Sequence, residues 1–137
     1  MKLVSACLLG INCKYDCGNN YNKKVARLAS KEVLIPVCPE QLAGLPTPRR
    51  KAEIVNNKVF TMAGMDVTEK FKFGAEQVLK LAELFNIKEA VFKQRSPSCG
   101  SGLVYDGTFS GKVVKGDGIT TRLLKENGIK VISEEEL

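Results

Sequence analysis

The sequence contains no histidine and no tryptophan, and aromatic residues make up only 7% of its 137 residues. The absence of histidine excludes every Ser-His or Cys-His catalytic pair and every metal site that needs an imidazole ligand, including most catalytic zinc sites. The remaining nucleophiles, ligands and proton carriers are Cys, Ser, Asp, Glu, Lys and Tyr. The sequence also contains five cysteines, and these are the residues from which a function is inferred below.

Long apolar runs are also missing. The stretch 1–10 is too short and too soon interrupted to be a signal-peptide core, and no run approaches the length of a membrane span. We therefore expect a cytoplasmic protein with no membrane partner. Thiols stay reduced in that compartment, which favours metal binding or catalysis over disulfides, and an odd number of cysteines fits a disulfide framework poorly.

Length and composition predict one soluble domain spanning residues 1–137, because 44% of the residues are hydrophobic and 26% are charged. The net charge of +6 is explained by a solvated basic surface as readily as by an anionic partner. The only compact basic cluster is 49–51, and no aromatic residues alternate with it. Nucleic acid is therefore not the expected partner.

Apolar runs predict strands at 3–6, 33–37, 89–93 and 129–132, and the run at 33–37 is typical of a strand covered on both faces. Helices are predicted at 23–30, from Asp66 onward, and at 118–126. Two hairpins are expected, one at 53–62 across Asn56 and Asn57 and a turn-rich one at 102–114. The alternation of strands and helices predicts a three-layer α/β fold with a mostly parallel, Rossmann-like sheet.

Two of the helices carry specific sequence signals. Asp66 and Glu69 form a capping-box-like start, and Asp117 is expected to cap the last helix. An apolar stripe at three- and four-residue steps is expected to face the core; it consists of Val67, Phe71, Ala75, Val78, Ala82 and Phe85.

Three cysteines lie at the predicted strand ends. Cys7 follows the first strand, Cys38 follows the second, and Cys99 lies a few residues after the third. Because ligands bind beyond the carboxyl ends of parallel strands, we expect these thiols to meet at one edge of the sheet. Core packing alone favours cysteines within strands or on apolar helix faces, whereas these lie in loops rich in Pro, Gly and Ser.

Two kinds of metal site remain open for these thiols. Zinc is one alternative, because Cys13 and Cys17 have the spacing of a loose knuckle. An iron–sulfur cluster is the other, and three protein ligands on a four-iron cluster leave one iron open.

Polar residues next to these cysteines are candidates for catalysis. Glu40, two residues after Cys38, is suited to act as a general base toward water, and Ser96 and Ser98 are suited to position water or substrate. A purely structural role is the alternative for all three residues. Glu40 also suits the start of a helix after Pro39, and the serines also suit a turn.

Seven segments carry a resemblance to a known family. They occur in the order SACLLG (5–10), CKYD (13–16), PVCPE (36–40), TPR (47–49), GMDVT (64–68), SPSCG (96–100) and YDGTFSG (105–111). Together they resemble the TudS-type thiouracil desulfurases, catalogued as domain of unknown function 523, over residues 5 to 133. Two residues depart from the pattern. Lys14 stands where arginine is commoner, and Cys17 stands where glycine is expected. As an extra thiol, Cys17 is able to compete for the cluster or to form a disulfide with Cys13 when the cluster is lost.

The resemblance implies a 4Fe-4S cluster held by three cysteines with one open iron. Carried over by motif, Cys38 and Cys99 are two of the ligands. Cys7 is our choice for the third, with Cys13 as the alternate. Zinc remains the alternative cofactor.

The resemblance also implies a non-redox desulfuration of thiolated pyrimidines of the thiouracil or thiouridine type. Water attacks the carbon that bears sulfur, and the sulfur passes to the open iron. Glu40 is the implied acid and base, with Ser96, or less favourably Ser98, as its partner. The alternative function is a non-catalytic zinc- or cluster-binding module that acts as a sulfur carrier or sensor.

The implied partner is a small thiolated pyrimidine base, nucleoside or nucleotide. We expect Arg49, Tyr15 and Asp16 to contact it, and the basic run that begins at Arg49 suits a phosphate. A weaker third interpretation is a nucleotide-binding fold in which the turn 116–118 contacts phosphate, although a lone Gly-x-Gly before a helix lacks the full fingerprint.

Overall fold

The computed structural model describes all residues, 1–137. Its strands are β1 (Lys2–Ser5), β2 (Leu34–Val37), β3 (Ala52–Val55), β4 (Lys58–Thr61), β5 (Glu89–Phe92), β6 (Leu103–Tyr105), β7 (Val113–Lys115) and β8 (Lys130–Ser133). Its helices are α1 (Lys23–Arg27), α2 (Pro39–Leu42), α3 (Thr68–Leu84) and α4 (Ile119–Glu126). Short 3₁₀ turns cover Ala6–Leu9, Leu28–Ser30 and Glu134–Glu136. No helix has both the length and the apolar character needed to cross a membrane.

The main sheet has four strands in the order β2-β1-β5-β8, and every neighbouring pair is parallel. This confirms the predicted α/β fold class with its mostly parallel sheet. β2 contributes to both faces as expected, with Ile35 and Val37 on one side and Leu34 on the other, but it lies at the edge of the sheet and Pro36 within it is exposed. An edge position suits proline, which has no N–H to give to a further strand.

Both faces of the sheet are covered, which produces the three layers. Alternate strand residues point to opposite faces. On one face, apolar strand residues pack against α3 and α4; this cluster includes Leu3, Ala90, Phe92, Val131, Val78, Ala82 and Leu124. On the other face, strand residues pack against α1; this cluster includes Val4, Val91, Ile132, Val25 and Leu8.

Helix α3 confirms most of the predicted stripe, because Val67, Phe71, Ala75, Val78 and Ala82 are buried. Phe85 is 48% exposed, since it lies just past the end of the helix. The predicted capping box is wrong because the helix begins at Thr68. Asp66 closes a local turn by accepting the Thr68 N–H at 2.9 Å, and Glu69 reaches only the exposed Lys72.

Two hairpins lie outside the main sheet. β3 and β4 pair antiparallel across Asn56 and Asn57, whose φ angles of 50° and 65° are those of the tight turn predicted there. β6 and β7 form the second hairpin within the predicted turn-rich segment. Gly107, in the loop that joins β6 to β7, lies against the Ile54 carbonyl of β3 with no room for a side chain. The second hairpin therefore packs on the first.

Candidate active site

A cavity of about 340 Å³ lies at the carboxyl ends of β1, β2 and β5. Four of the five cysteines line it: Cys7, Cys13, Cys38 and Cys99. All five cysteines are free thiols. The parallel topology thus brings the three strand-end cysteines to one place, and the loop after β1 adds the fourth.

Each strand-end cysteine is held by the element that follows its strand. Cys7 lies in the 3₁₀ turn Ala6–Leu9 directly after β1. Cys38 is the N-cap residue of α2, between β2 and that helix. Cys99 lies in the loop 96–100 after β5 and is 4% exposed.

The first turn of α4 fixes the loop that carries Cys99. The Ile119 N–H donates to the Pro97 carbonyl at 2.8 Å, and the Thr120 N–H donates to the Ser98 carbonyl at 2.9 Å. In addition, the Thr121 hydroxyl donates to the Cys99 carbonyl at 2.8 Å. The helix start is therefore occupied by protein carbonyls.

This arrangement overturns two expectations about the segment 116–118. Its amides do not face a phosphate, because the Gly118 N–H donates to the Gly100 carbonyl at 2.8 Å. Asp117 does not cap α4; it accepts the Gly102 N–H at 2.8 Å and pairs with Lys125 at 3.1 Å. Gly118 is needed for close approach, since a Cβ there would lie 2.5 Å from the Ser98 carbonyl carbon and oxygen.

Changing Gly118 to alanine is expected to lower the free energy of unfolding by about 1–3 kcal/mol, because the new methyl group meets backbone atoms that cannot swing away. Gly116→Ala is the matched control, since a Cβ there meets only the Val104 side chain, at 3.2 Å. Urea unfolding of both variants measures the difference. Equal stability of the two variants would mean that α4 and the Cys99 loop do not pack as tightly as described.

The cavity thiols differ in their protonation. Burial raises the pKa of Cys7 and raises that of Cys99 further. A hydrogen bond from the Cys13 thiol lowers the pKa of Cys38, and the same bond raises the pKa of Cys13. Any metal that binds these sulfurs must displace their protons, so its affinity rises with pH.

The donors fit an iron–sulfur cluster. They include four thiols in a cavity with no imidazole, and thiolates are the ligands that such clusters take. No three Cys, Asp or Glu side chains lie close enough together to hold a single metal ion.

Glu40 lies at the centre of a polar network beside the thiols. It occupies the first turn of α2, and its Oε2 accepts the Ser98 hydroxyl at 2.9 Å. Ser98 Oγ in turn lies 3.0 Å from Ser96 Oγ and 3.7 Å from the sulfur of Cys99. The direct partner of Glu40 is thus Ser98, whereas the expectation preferred Ser96, which is one hydrogen bond further away.

Ser96 has a second task in the loop. Its hydroxyl oxygen accepts the N–H groups of Ser98, at 3.2 Å, and of Cys99, at 3.0 Å. Ser96 therefore stabilises the turn, which is the structural role that the sequence allowed for it. Its contact with Ser98 nevertheless extends the network from Glu40 along the cavity wall.

Arg49 lines the cavity, where a substrate contact was predicted for it, but most of its donors are engaged within the protein. Its side chain is 7% exposed, and Nε donates to Glu40 Oε1 at 3.1 Å. Nη2 donates to the Cys13 carbonyl at 2.8 Å and Nη1 to the Thr47 hydroxyl at 2.9 Å. With these donors engaged, Arg49 fixes the orientation of Glu40 and ties it to the segment that carries Cys13.

Of the other two expected substrate contacts, one lines the cavity and the other does not. Tyr15 lines the cavity, and the ammonium groups of Lys14 and Lys51 lie 5.5 and 5.3 Å from the centre of its ring. Asp16 is exposed, lies outside the cavity lining and accepts the Gly18 N–H at 2.9 Å, so the cavity gives its predicted substrate contact no support. Cys17 is exposed with a φ of 67°, the left-handed conformation that glycine adopts without cost, which explains why glycine suits this position.

The cavity residues missed by the sequence analysis include Glu53, Lys93, Tyr105 and Phe109. Glu53 could have been found from the sequence, because a charged residue at the start of a predicted hairpin strand suggests a specific partner. Tyr105 and Phe109 stand in the segment YDGTFSG, which was recognised but given no role. Lys93 directly follows β5, the position from which side chains reach the same edge as the cysteines.

Fold and site together define an α/β protein with a thiol-lined cavity and a carboxylate–serine network at the carboxyl edge of its sheet. Residues 3–136 match the 2-thiouracil desulfurase family, and the chain belongs to that family. It is 43% identical over 147 aligned positions to the uncharacterized protein YbbK of Bacillus subtilis (strain 168), covering 100% of this chain and 97% of that protein. It is also 43% identical to a solved structure described as the 4Fe-4S-dependent thiouracil desulfidase TudS (DUF523Vcz), with a TM-score of 0.94 over 99% of this chain and 91% of that one.

Proposed function

We propose that this chain removes the sulfur atom from a thiolated pyrimidine of the thiouracil or thiouridine type, with a 4Fe-4S cluster held by Cys7, Cys38 and Cys99. Family membership and the described dependence of TudS on such a cluster support the proposal. The observation that carries it is the hydrogen bond between Glu40 and Ser98, made next to Cys99 in the thiol-lined cavity.

Three protein thiolates are the proposed ligands, and the fourth cavity thiol, Cys13, is the alternate. With three ligands the cluster supplies one open iron, which acts as a Lewis acid for sulfur. Cys7 and Cys38 directly follow adjacent strands, and the loop that carries Cys99 is held by the first turn of α4, so packed elements fix the spacing of the three thiols.

Glu40 is the proposed general base. Its carboxylate takes a proton from the water that attacks the carbon bearing sulfur, and it returns the proton as the sulfur leaves. Arg49 on one oxygen and Ser98 on the other prevent rotation of the carboxylate, so the proton acceptor is held in one place. The net reaction exchanges sulfur for the oxygen of water and transfers no electrons.

The cavity accommodates a base or a larger derivative. Tyr15, Tyr105 and Phe109 offer aromatic surface for a pyrimidine ring. Lys14 and Lys51 also line the cavity and offer ammonium groups to an anion, whereas most donors of Arg49 are engaged within the protein. A nucleoside or nucleotide is therefore as suitable a substrate as the free base.

Anaerobic reconstitution with iron and sulfide, followed by incubation with 2-thiouracil and no reductant, tests the proposal. The expected result is a brown protein that forms uracil and sulfide in equal amounts. A colourless protein that retains one zinc ion after the same treatment and forms no uracil would instead support the non-catalytic module.

A further inference from the structure

The loop between β6 and β7 closes one side of the cavity in a conformation that must be held in place. Phe109 lines the cavity with a φ of 55°, a left-handed conformation that is costly for a bulky residue. Such a conformation persists only where the surrounding structure imposes it. The restraint in this case comes from β3.

Glu53 of β3 provides that restraint. Its Oε1 accepts two backbone N–H groups of the loop, from Gly107 at 3.0 Å and from Phe109 at 3.1 Å. Glu53 is 7% exposed, and it also lines the cavity. One oxygen of this nearly buried carboxylate is therefore committed to the loop.

The other oxygen of Glu53 is available to a ligand. Oε2 accepts no hydrogen bond within the protein, and the only side-chain polar atom that is both fully buried and unpartnered is Thr120 Oγ1. Oε2 is therefore accessible, and since Glu53 lines the cavity, a ligand in the cavity can reach this oxygen. Glu40, the other carboxylate of the cavity, has both oxygens engaged by Arg49 and Ser98.

An acceptor of this kind matches one feature of the proposed substrates. Uracil and its thio derivatives carry ring N–H donors at N1 and N3. A ribose replaces the hydrogen at N1 but leaves the one at N3. The N3–H also lies between C2 and C4, so it is present whichever of these carbons bears sulfur.

Resting on the proposed function, we propose that Glu53 is the specificity-determining residue of the cavity, with Oε2 accepting the N3–H of the pyrimidine while Oε1 holds the loop that carries Phe109. The ring then lies against Phe109, whose position depends on the same carboxylate. Recognition of the base and closure of the cavity wall are thus performed by one side chain.

Equilibrium dialysis of the reconstituted protein with uracil, 1-methyluracil and 3-methyluracil tests this assignment without any turnover. A hydrogen bond to a charged acceptor is worth about tenfold or more in affinity. The wild-type protein is therefore expected to bind 3-methyluracil at least about tenfold more weakly than 1-methyluracil, since both ligands carry one added methyl group.

Glu53→Gln provides the matched variant. Its amide oxygen still accepts the loop N–H groups, but its NH₂ group faces the N3–H of the ligand as a second donor. Uracil affinity is expected to fall about tenfold or more, and the difference between the methylated ligands is expected to shrink below about threefold. Glu135→Gln, outside the cavity, is the control and is expected to bind all three ligands as the wild type does.

Equal binding of the two methylated ligands by the wild type overturns the assignment, and so does full discrimination by Glu53→Gln. A third outcome separates the two proposals. If the wild type discriminates between the methylated ligands, Glu53→Gln does not, and the wild type releases no sulfide from 2-thiouracil, then Glu53 is a pyrimidine-recognition residue and only the proposed function is wrong. If the wild type binds no uracil but releases sulfide from 2-thiouracil, the assignment of Glu53 is wrong and the proposed function stands.

Discussion

Glu40→Gln is expected to reduce the rate of sulfide release from 2-thiouracil by two to four orders of magnitude, the usual contribution of a general base. Glutamine has nearly the shape of glutamate: its amide oxygen can still accept from Arg49 Nε, and its NH₂ group can donate to Ser98 Oγ once that hydroxyl has turned. Its amide cannot take a proton from water at neutral pH, so the chemical step is removed while the side chain keeps its place. The measurement is kcat of the anaerobically reconstituted variant, together with its iron content, which is expected to equal that of the wild type.

Two further variants separate proton transfer from positioning. Ser98→Ala is expected to cause a smaller loss than Glu40→Gln, because Ser98 orients the carboxylate at 2.9 Å but does not take the proton. Glu69→Gln, on the exposed start of α3, is the control for the change of charge and is expected to have no effect. A Glu40→Gln protein with near wild-type activity would reduce Glu40 to an acid that merely favours the start of α2.

Serine at Cys7 is expected to abolish cluster assembly, whereas serine at Cys13 is expected to leave it largely intact. β1 lies between β2 and β5 in the sheet, so Cys7 lies between the other two proposed ligands. Cys13 comes from the following loop, and its backbone carbonyl, which accepts the Cys38 thiol at 3.8 Å, is unchanged by a serine side chain. Iron and acid-labile sulfide per chain after anaerobic reconstitution provide the measurement.

Cys17→Ser is the matched control for these two variants, because Cys17 is exposed and lies outside the cavity. It is expected to assemble the same amount of cluster as the wild type. The ligand assignment is reversed if the Cys13 variant loses its iron and the Cys7 variant keeps it.

The fold class and the convergence of three cysteines could be predicted because both depend on local signals. Short apolar runs mark the parallel strands, and the topology then places Cys7, Cys38 and Cys99 at one edge whatever the details of packing. The helix caps were harder to predict from the sequence. Asp66 and Asp117 each stand just before the true N-cap residue, and their side chains accept hydrogen bonds from other backbone N–H groups. A one-residue shift changes the partner of a capping side chain without changing the helix.

The contacts that define the chemistry depend on distant pairs. Glu40 and Ser98 are 58 residues apart and meet only because α4 presses the Cys99 loop against α2. In the sequence, a buried Arg49 that braces Glu40 looks the same as an exposed Arg49 that binds phosphate. The task of Glu53 depends on the docking of one hairpin on another, which no local pattern specifies.

Sulfide release from 2-thiouracil and 4-thiouridine, measured side by side for the reconstituted wild type and its Cys38→Ser variant, tests the central claim most directly. The proposed function predicts stoichiometric sulfide and desulfurated base from the wild type with at least one of the two substrates, and only background release from the variant. Equal release by both proteins, or none from a wild type that carries its full complement of iron, would contradict it.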